Sequence, residues 1–322
     1  MGPYGLNRER PATVRYRLRV AAIVVDGLMK RYGQLEAVSD VSFEILSGEV
    51  FALLGPNGAG KTTTIEILEG FRRRDGGRVE VLGLDPADRA TSMRLRERTG
   101  VVLQELAVEP YLTVREVLER NAGYYPLPRD PAEVIDLVGL SERARSRVKT
   151  LSGGQMRRLD LGLGIIGNPE VLYLDEPTTG FDPSARRDAW ELVRRLTSGG
   201  TTVLLTTHYM DEAESLASRV AVMSGGRIVA AGTPQSLGGR DMSDALVRFR
   251  PPDGVAIADL PVQPTSVTAG IAVIRTDKAV EVLRVLTNWA VEEGVELAGL
   301  TCERLTLEDV YLRLVGYEEQ QR

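Results

Sequence analysis

Gly55-Pro56-Asn57-Gly58-Ala59-Gly60-Lys61-Thr62-Thr63 reads G-x-x-x-x-G-K-T, and its flanks decide the fold. Val50–Leu54 before it is a short apolar run of strand character, and Thr62–Glu69 after it reads as a helix. Strand, glycine turn and helix start in succession form the setting of a phosphate-binding loop. Gly55, Gly58 and Gly60 let the backbone wrap closely around β- and γ-phosphates, where side chains would collide. The first N–H groups of the helix attract anions, Lys61 brings a full charge to the β/γ oxygens, and the Thr62 hydroxyl can ligate Mg²⁺. An ordinary glycine-rich turn is the competing reading, and the Gly-Lys-Thr ending speaks against it.

Two later stretches add chemistry. In Leu151-Ser152-Gly153-Gly154-Gln155, Ser152 is a natural N-cap and the glycines leave N–H groups open at a helix start. That makes a second anion site; a flexible Ser-Gly linker is the alternative. In Leu174-Asp175-Glu176-Pro177, the apolar run Val171–Leu174 carries Asp175 to the end of a buried strand, where it can bind Mg²⁺ through water. Glu176 follows, placed to polarise a water aimed at a γ-phosphorus. Alone, such an acidic pair would read as solvated turn.

In this order and spacing, across most of residues 21–235, these stretches resemble the ATP-binding subunit of an ABC transporter. The resemblance implies an α/β P-loop ABC ATPase cassette: a RecA-like core, a β-subdomain, and a helical signature subdomain over about 88–168. It makes Glu176 the general base. His208, the chain's one histidine, lies in Thr206-Thr207-His208 at the family's switch position, contacting the γ-phosphate and attacking water. Gln104, after the strand-like Gly100–Leu103, matches the glutamine that touches Mg²⁺ and water at the hinge to the helical region. Tyr32 matches the aromatic that stacks on adenine; a core tyrosine is the plain reading. Asp182 matches the aspartate through which subunits communicate, whereas Phe181 departs from the usual leucine. The family pairs two subunits head to tail, each ATP lying between one phosphate loop and the other subunit's Ser-Gly-Gly-Gln. Mg²⁺ accompanies ATP as substrate.

Around this cassette, residues 1–20 are polar and Arg-rich, either a solvated tail or a basic arm for anionic lipid headgroups. Residues 239–322 read as a small α+β module. Ala245–Phe249 and Ile271–Arg275 look like strands. Lys278–Glu293 places Ala279, Val282, Leu283, Leu286 and Ala290 on one helical face, and Thr306–Asp309 opens a last helix in capping-box style.

Composition narrows the class. Net charge is −5, so no basic field draws the chain to nucleic acid. The single cysteine, Cys302, excludes an intramolecular disulfide and suits a reducing cytoplasm. No apolar run approaches the roughly 20 residues of a membrane span, so a membrane role requires another chain to provide the membrane part, which the resemblance implies is a separate polytopic permease. A soluble ABC machine acting on DNA or ribosomes is the alternative class, but it would carry a long coiled-coil insertion or a second cassette. A GTPase would show an Asn-Lys-x-Asp motif, which is missing. Arg157-Arg158-Leu159-Asp160, Thr207–Glu214 and Leu307–Leu312 look like ATP-binding subunits of bacterial drug exporters of the daunorubicin-resistance type. The expectation is a dimeric ATPase at the cytoplasmic face of the cell membrane, powering export.

Overall fold

The computed structural model describes residues 20–102, 108–237, 245–303 and 306–312. Strands β1 (Ala21–Tyr32) and β2 (Leu35–Leu46) form a long hairpin turning at Gly33, whose φ of +60° suits glycine. Both strands outrun their apolar segments. Beyond those segments the hairpin is held by charge, with Arg31 opposite Glu36 in register and ion-paired to it. Apolar alternation alone does not reveal such a polar strand pairing.

Next come β3 (Val50–Leu54), α1 (Lys61–Leu68), β4 (Gly76–Val81), α2 (Ser92–Arg98) and β5 (Thr99–Val102). The stretch read as largely helical, about 88–168, therefore also contains a strand of the central sheet. After it follow α3 (Val114–Ala122), α4 (Pro131–Leu137) and α5 (Gly153–Ile166). The chain re-enters the sheet at β6 (Val171–Asp175), and then runs through α6 (Pro183–Ser198), β7 (Thr202–Thr206), α7 (Met210–Leu216), β8 (Arg219–Ser224) and β9 (Arg227–Gly232).

The central sheet has the order β5-β6-β7-β3-β8-β9, parallel except for β9. Strands β3 and β7 are buried throughout, as expected of parallel strands covered on both faces. Alternate residues serve opposite layers. Leu172, Leu174, Val203 and Leu205 pack with Leu118, Leu159 and Ile165 of the helices. Val171, Tyr173, Phe51 and Leu53 pack with Ile65 and Leu68 of α1 and with Ile23 and Ile45 of a β2-β1-β4 sheet.

The C-terminal part folds as β10 (Ala245–Arg250), β11 (Ser266–Thr268), β12 (Ile271–Thr276), α8 (Ala279–Glu292) and β13 (Ala298–Glu303). Its antiparallel sheet has the order β11-β12-β10-β13. Leu286 and Ala290 of α8 cover Val247, Phe249 and Ile274. Thr306 and Asp309 cap each other reciprocally, the Thr306 N–H donating to Asp309 Oδ2 at 2.8 Å and the Asp309 N–H to Thr306 Oγ1 at 3.1 Å. Residues 307–312 return to the cassette, where Leu307 and Val310 are buried against Ala52, Leu54, Val220 and Val222. Among the described residues, no helix is long and apolar enough to cross a membrane.

Candidate nucleotide site

Strands β6, β7 and β3 are consecutive and parallel, so the segments leaving their carboxyl ends emerge along one edge. Those segments are Asp175–Glu176, His208 and the glycine loop. The sheet order thus joins three stretches far apart in the chain.

The loop is built on glycines with specific reasons. A Cβ on Gly55 would meet the Met223 carbonyl oxygen at 2.2 Å, and one on Gly60 the Ala37 carbonyl oxygen at 2.3 Å. Gly60 also sits at φ +102°. It precedes α1, whose start receives no side-chain cap, leaving its N–H groups for another acceptor. Lys61 Nζ folds back over the loop, donating to the carbonyls of Gly55 at 2.7 Å and Pro56 at 3.1 Å. Burial lowers the pKa of this ammonium, and the nearby carboxylates of Glu176 and Asp175 oppose the shift. Ala59 is buried, its carbonyl accepting from the Gly226 N–H at 3.1 Å, while Asn57, Gly58 and Thr62 are exposed.

Asp175 accepts a hydrogen bond from the Thr206 hydroxyl of β7. Glu176 adopts φ +48°, a left-handed conformation costly for a residue with a Cβ. Its N–H donates to the Thr206 carbonyl at 3.1 Å, and its Oε1 lies 3.4 Å from His208 Nδ1. His208 is half-exposed and its ring lies tilted at 39° against that of Tyr209, centroids 4.1 Å apart. The Arg186 guanidinium lies 4.1 Å from the Tyr209 ring centre and pairs with Asp211 at 3.3 Å.

Ser152 caps α5 as a full capping box: Ser152 Oγ accepts from the Gln155 N–H at 3.3 Å, and Gln155 Oε1 from the Ser152 N–H at 3.0 Å. A Cβ on Gly153 or Gly154 would meet nothing within 4 Å. Packing inside the chain therefore gives no reason for glycine there, whereas close approach by an outside ligand would. Leu151 is half-buried against the helical core. Asp182 caps α6, accepting from the N–H groups of Ser184 at 2.8 Å and Ala185 at 2.9 Å, which lower its pKa. Phe181 is buried beside Ala185 and Leu192. Tyr32 is exposed at the hairpin tip, and the Arg72 guanidinium and Lys30 ammonium each lie 5.4 Å from its ring centre. Gln104 and the Arg-rich residues 1–19 fall outside the described residues.

Two charged residues have surroundings that only the tertiary structure reveals. Glu69, at the end of α1, is 8% exposed, and its pKa is raised to about 8 by burial, then by Asp175 and Glu66. Arg157 of α5 reaches the turn after β6, donating from Nε to the Pro177 carbonyl at 3.1 Å and from Nη2 to those of Asp175 and Glu176, each at 3.0 Å. Within Met156-Arg157-Arg158, nothing local tells which arginine turns inward; the helix phase relative to the sheet decides.

As to Mg²⁺, a threonine hydroxyl and a carboxylate at the loop edge are hard oxygen donors of the kind this ion takes. An ammonium, a row of free N–H groups, a carboxylate pair and an imidazole on one edge suit binding and cleavage of a polyphosphate.

Residues 38–179 match the ABC transporter family, and residues 245–306 match the C-terminal domain of ABC transporter domain-containing proteins. A daunorubicin resistance ATP-binding protein of Streptomyces coeruleorubidus is 40% identical over 306 residues, 92% of this chain and 96% of that protein. A Nod factor export ATP-binding protein of Paraburkholderia xenovorans is 38% identical, covering 93% of this chain and 99% of its own. Among solved structures, an ATP-binding subunit of an ABC transporter superposes with a TM-score of 0.61 at 27% identity, covering 67% of this chain and 91% of its own. The cbiO1 protein of Clostridium perfringens, part of an ABC transporter complex, gives 0.61 at 28% identity, covering 67% and 90%.

Proposed function

Since the chain belongs to the ABC transporter family of ATP-binding proteins, we propose that it hydrolyses ATP to power a separate membrane permease that exports a drug, antibiotic or other hydrophobic compound. The observation that carries this reading is the pairing of two anion sites in one chain. One is the Lys61 loop, beside Glu176 and His208; the other is the open start of α5 at Ser152–Gly154. In this reading two chains pair head to tail, and the loop of one and the α5 start of the other close on a shared ATP. A second chain of similar sequence serves the same geometry as a second copy.

Lys61 binds the β- and γ-phosphates, helped by the N–H groups of Gly58, Gly60, Thr62 and Thr63. Thr62, Asp175 and Gln104 would hold Mg²⁺, which when bound neutralises phosphate charge. Glu176 takes the proton of the attacking water, and His208, 3.4 Å away, holds the water and γ-phosphate in line. Tyr32 offers its exposed ring to adenine, and Asp182, by fixing the start of α6, shapes the loop facing the partner chain. Export is favoured by the names of the relatives and by the α+β form of the C-terminal part, residues 239–322 lying beyond the cassette proper (21–238). The site of action is then the cytoplasmic membrane face, with no nucleic-acid partner.

The test is recovery from membranes with tagged Glu176→Gln protein, ATP and Mg²⁺. This variant is expected to trap an ATP-bound dimer with little turnover and to bring down a polytopic membrane protein. If ribosomes or DNA came down instead, the soluble alternative would replace the exporter. Near-normal ATPase activity in the variant would refute the base assignment.

A further inference from the structure

The turn that presents Glu176 is not held by the sheet alone. Three consecutive carbonyls, of Asp175, Glu176 and Pro177, converge on one guanidinium, that of Arg157, at 3.0, 3.0 and 3.1 Å. The side chain of Arg157 is 11% exposed, and its Nη1 donates at 2.7 Å to Asp160 Oδ2, one helical turn on. Asp160 is itself buried, so it fixes the guanidinium as a flat template rather than a mobile surface charge. The middle carbonyl of the three belongs to the residue at φ +48°. Such a conformation persists only where the surroundings over-determine it, and here helix α5 adds its contacts to the bond that the Glu176 N–H makes to Thr206 of β7.

We propose that Arg157 is a positioning residue for ATP hydrolysis, holding the backbone turn that aims the Glu176 carboxylate. The proposal rests on the reading of Glu176 as general base. Without the guanidinium, three carbonyls lose a charged donor, and the turn is free to relax toward ordinary φ, swinging the carboxylate off the line of attack. Lys61 is held separately, by the carbonyls of Gly55 and Pro56, so the charge that meets the nucleotide has its own supports. Placed two residues after Gln155, Arg157 also puts the start of α5 and the Glu176 turn on one rigid connection.

The test measures kcat and KM for MgATP in three variants of the full chain. Arg157→Met removes the donors; Arg157→Met with Asp160→Leu removes them without leaving a buried unpaired carboxylate, which keeps the test open if the single variant fails to fold. Arg157→Lys restores a charge and part of the bonding. The expected result is a fall in kcat of tenfold or more in the folded Met variants, with KM within about threefold of wild type, and partial rescue by lysine. In a Glu176→Gln background, Arg157→Lys should lower residual turnover no further. The proposal is overturned if the double variant retains kcat within twofold, if kcat and ATP affinity fall together, or if the Glu176→Gln and Arg157→Lys losses multiply. Full turnover by Glu176→Gln alone would instead sink the base reading on which the proposal stands.

Discussion

Glu69 should make the protein less stable as pH rises through neutrality, and Glu69→Gln should abolish that loss. The carboxyl is 8% exposed, and burial, reinforced by Asp175 and Glu66, raises its pKa from 4.5 to about 8. The unfolded chain releases this proton near the ordinary value, the folded chain only near the raised one. Between the two, the unfolded state binds fewer protons than the folded state, so stability falls as pH rises. The loss is absent below the unfolded pKa and complete above the folded one. At about 1.4 kcal/mol per pH unit, the folded state has lost about 3 kcal/mol by pH 7. That is a large share of the roughly 5–15 kcal/mol that holds a typical domain together. Glutamine keeps the shape and removes the charge. Urea unfolding of nucleotide-free protein in EDTA, from pH 5 to pH 9, should give near-equal stabilities at the acid end and a variant more stable by roughly 4 kcal/mol at pH 8. Asp160, which burial raises to about 6 against the pull of Arg157, titrates in both proteins and cancels in the difference. Parallel pH profiles for the two proteins would refute the reasoning.

Two further substitutions probe the loop. Lys61→Ala should weaken ATP binding tenfold or more, because the charge aimed at the phosphates is lost; unchanged affinity in equilibrium titration would contradict the phosphate-loop reading. Gly60→Ala should lower the melting temperature of the nucleotide-free protein, since the new methyl meets the Ala37 carbonyl at 2.3 Å and the backbone sits at φ +102°. A variant as stable as wild type would show that the hairpin and loop separate freely.

The local elements of the phosphate site were legible in the chain because each is short-range physics. Val50–Leu54 is uniformly apolar and folds as a strand buried on both faces; Gly60-Lys61 opens a helix; Ser152 and Gln155 cap one; Thr306 and Asp309 cap another. Such signals depend on neighbours within a few residues, and the linear pattern contains them. Sheet order, by contrast, is a choice among long-range pairings. Only the sequence β6-β7-β3 places Glu176 and His208 3.4 Å apart and both on the edge that bears the Lys61 loop. The charged half of the β1-β2 hairpin, the return of Leu307 and Val310 to the cassette core, the burial of Glu69 and the inward turn of Arg157 likewise follow from packing between distant segments. A charged side chain carries no local mark of whether its helix will face solvent or a neighbouring turn. The residue types that do the chemistry were thus set by the sequence, while the charges that surround and hold them were decided by how the layers met.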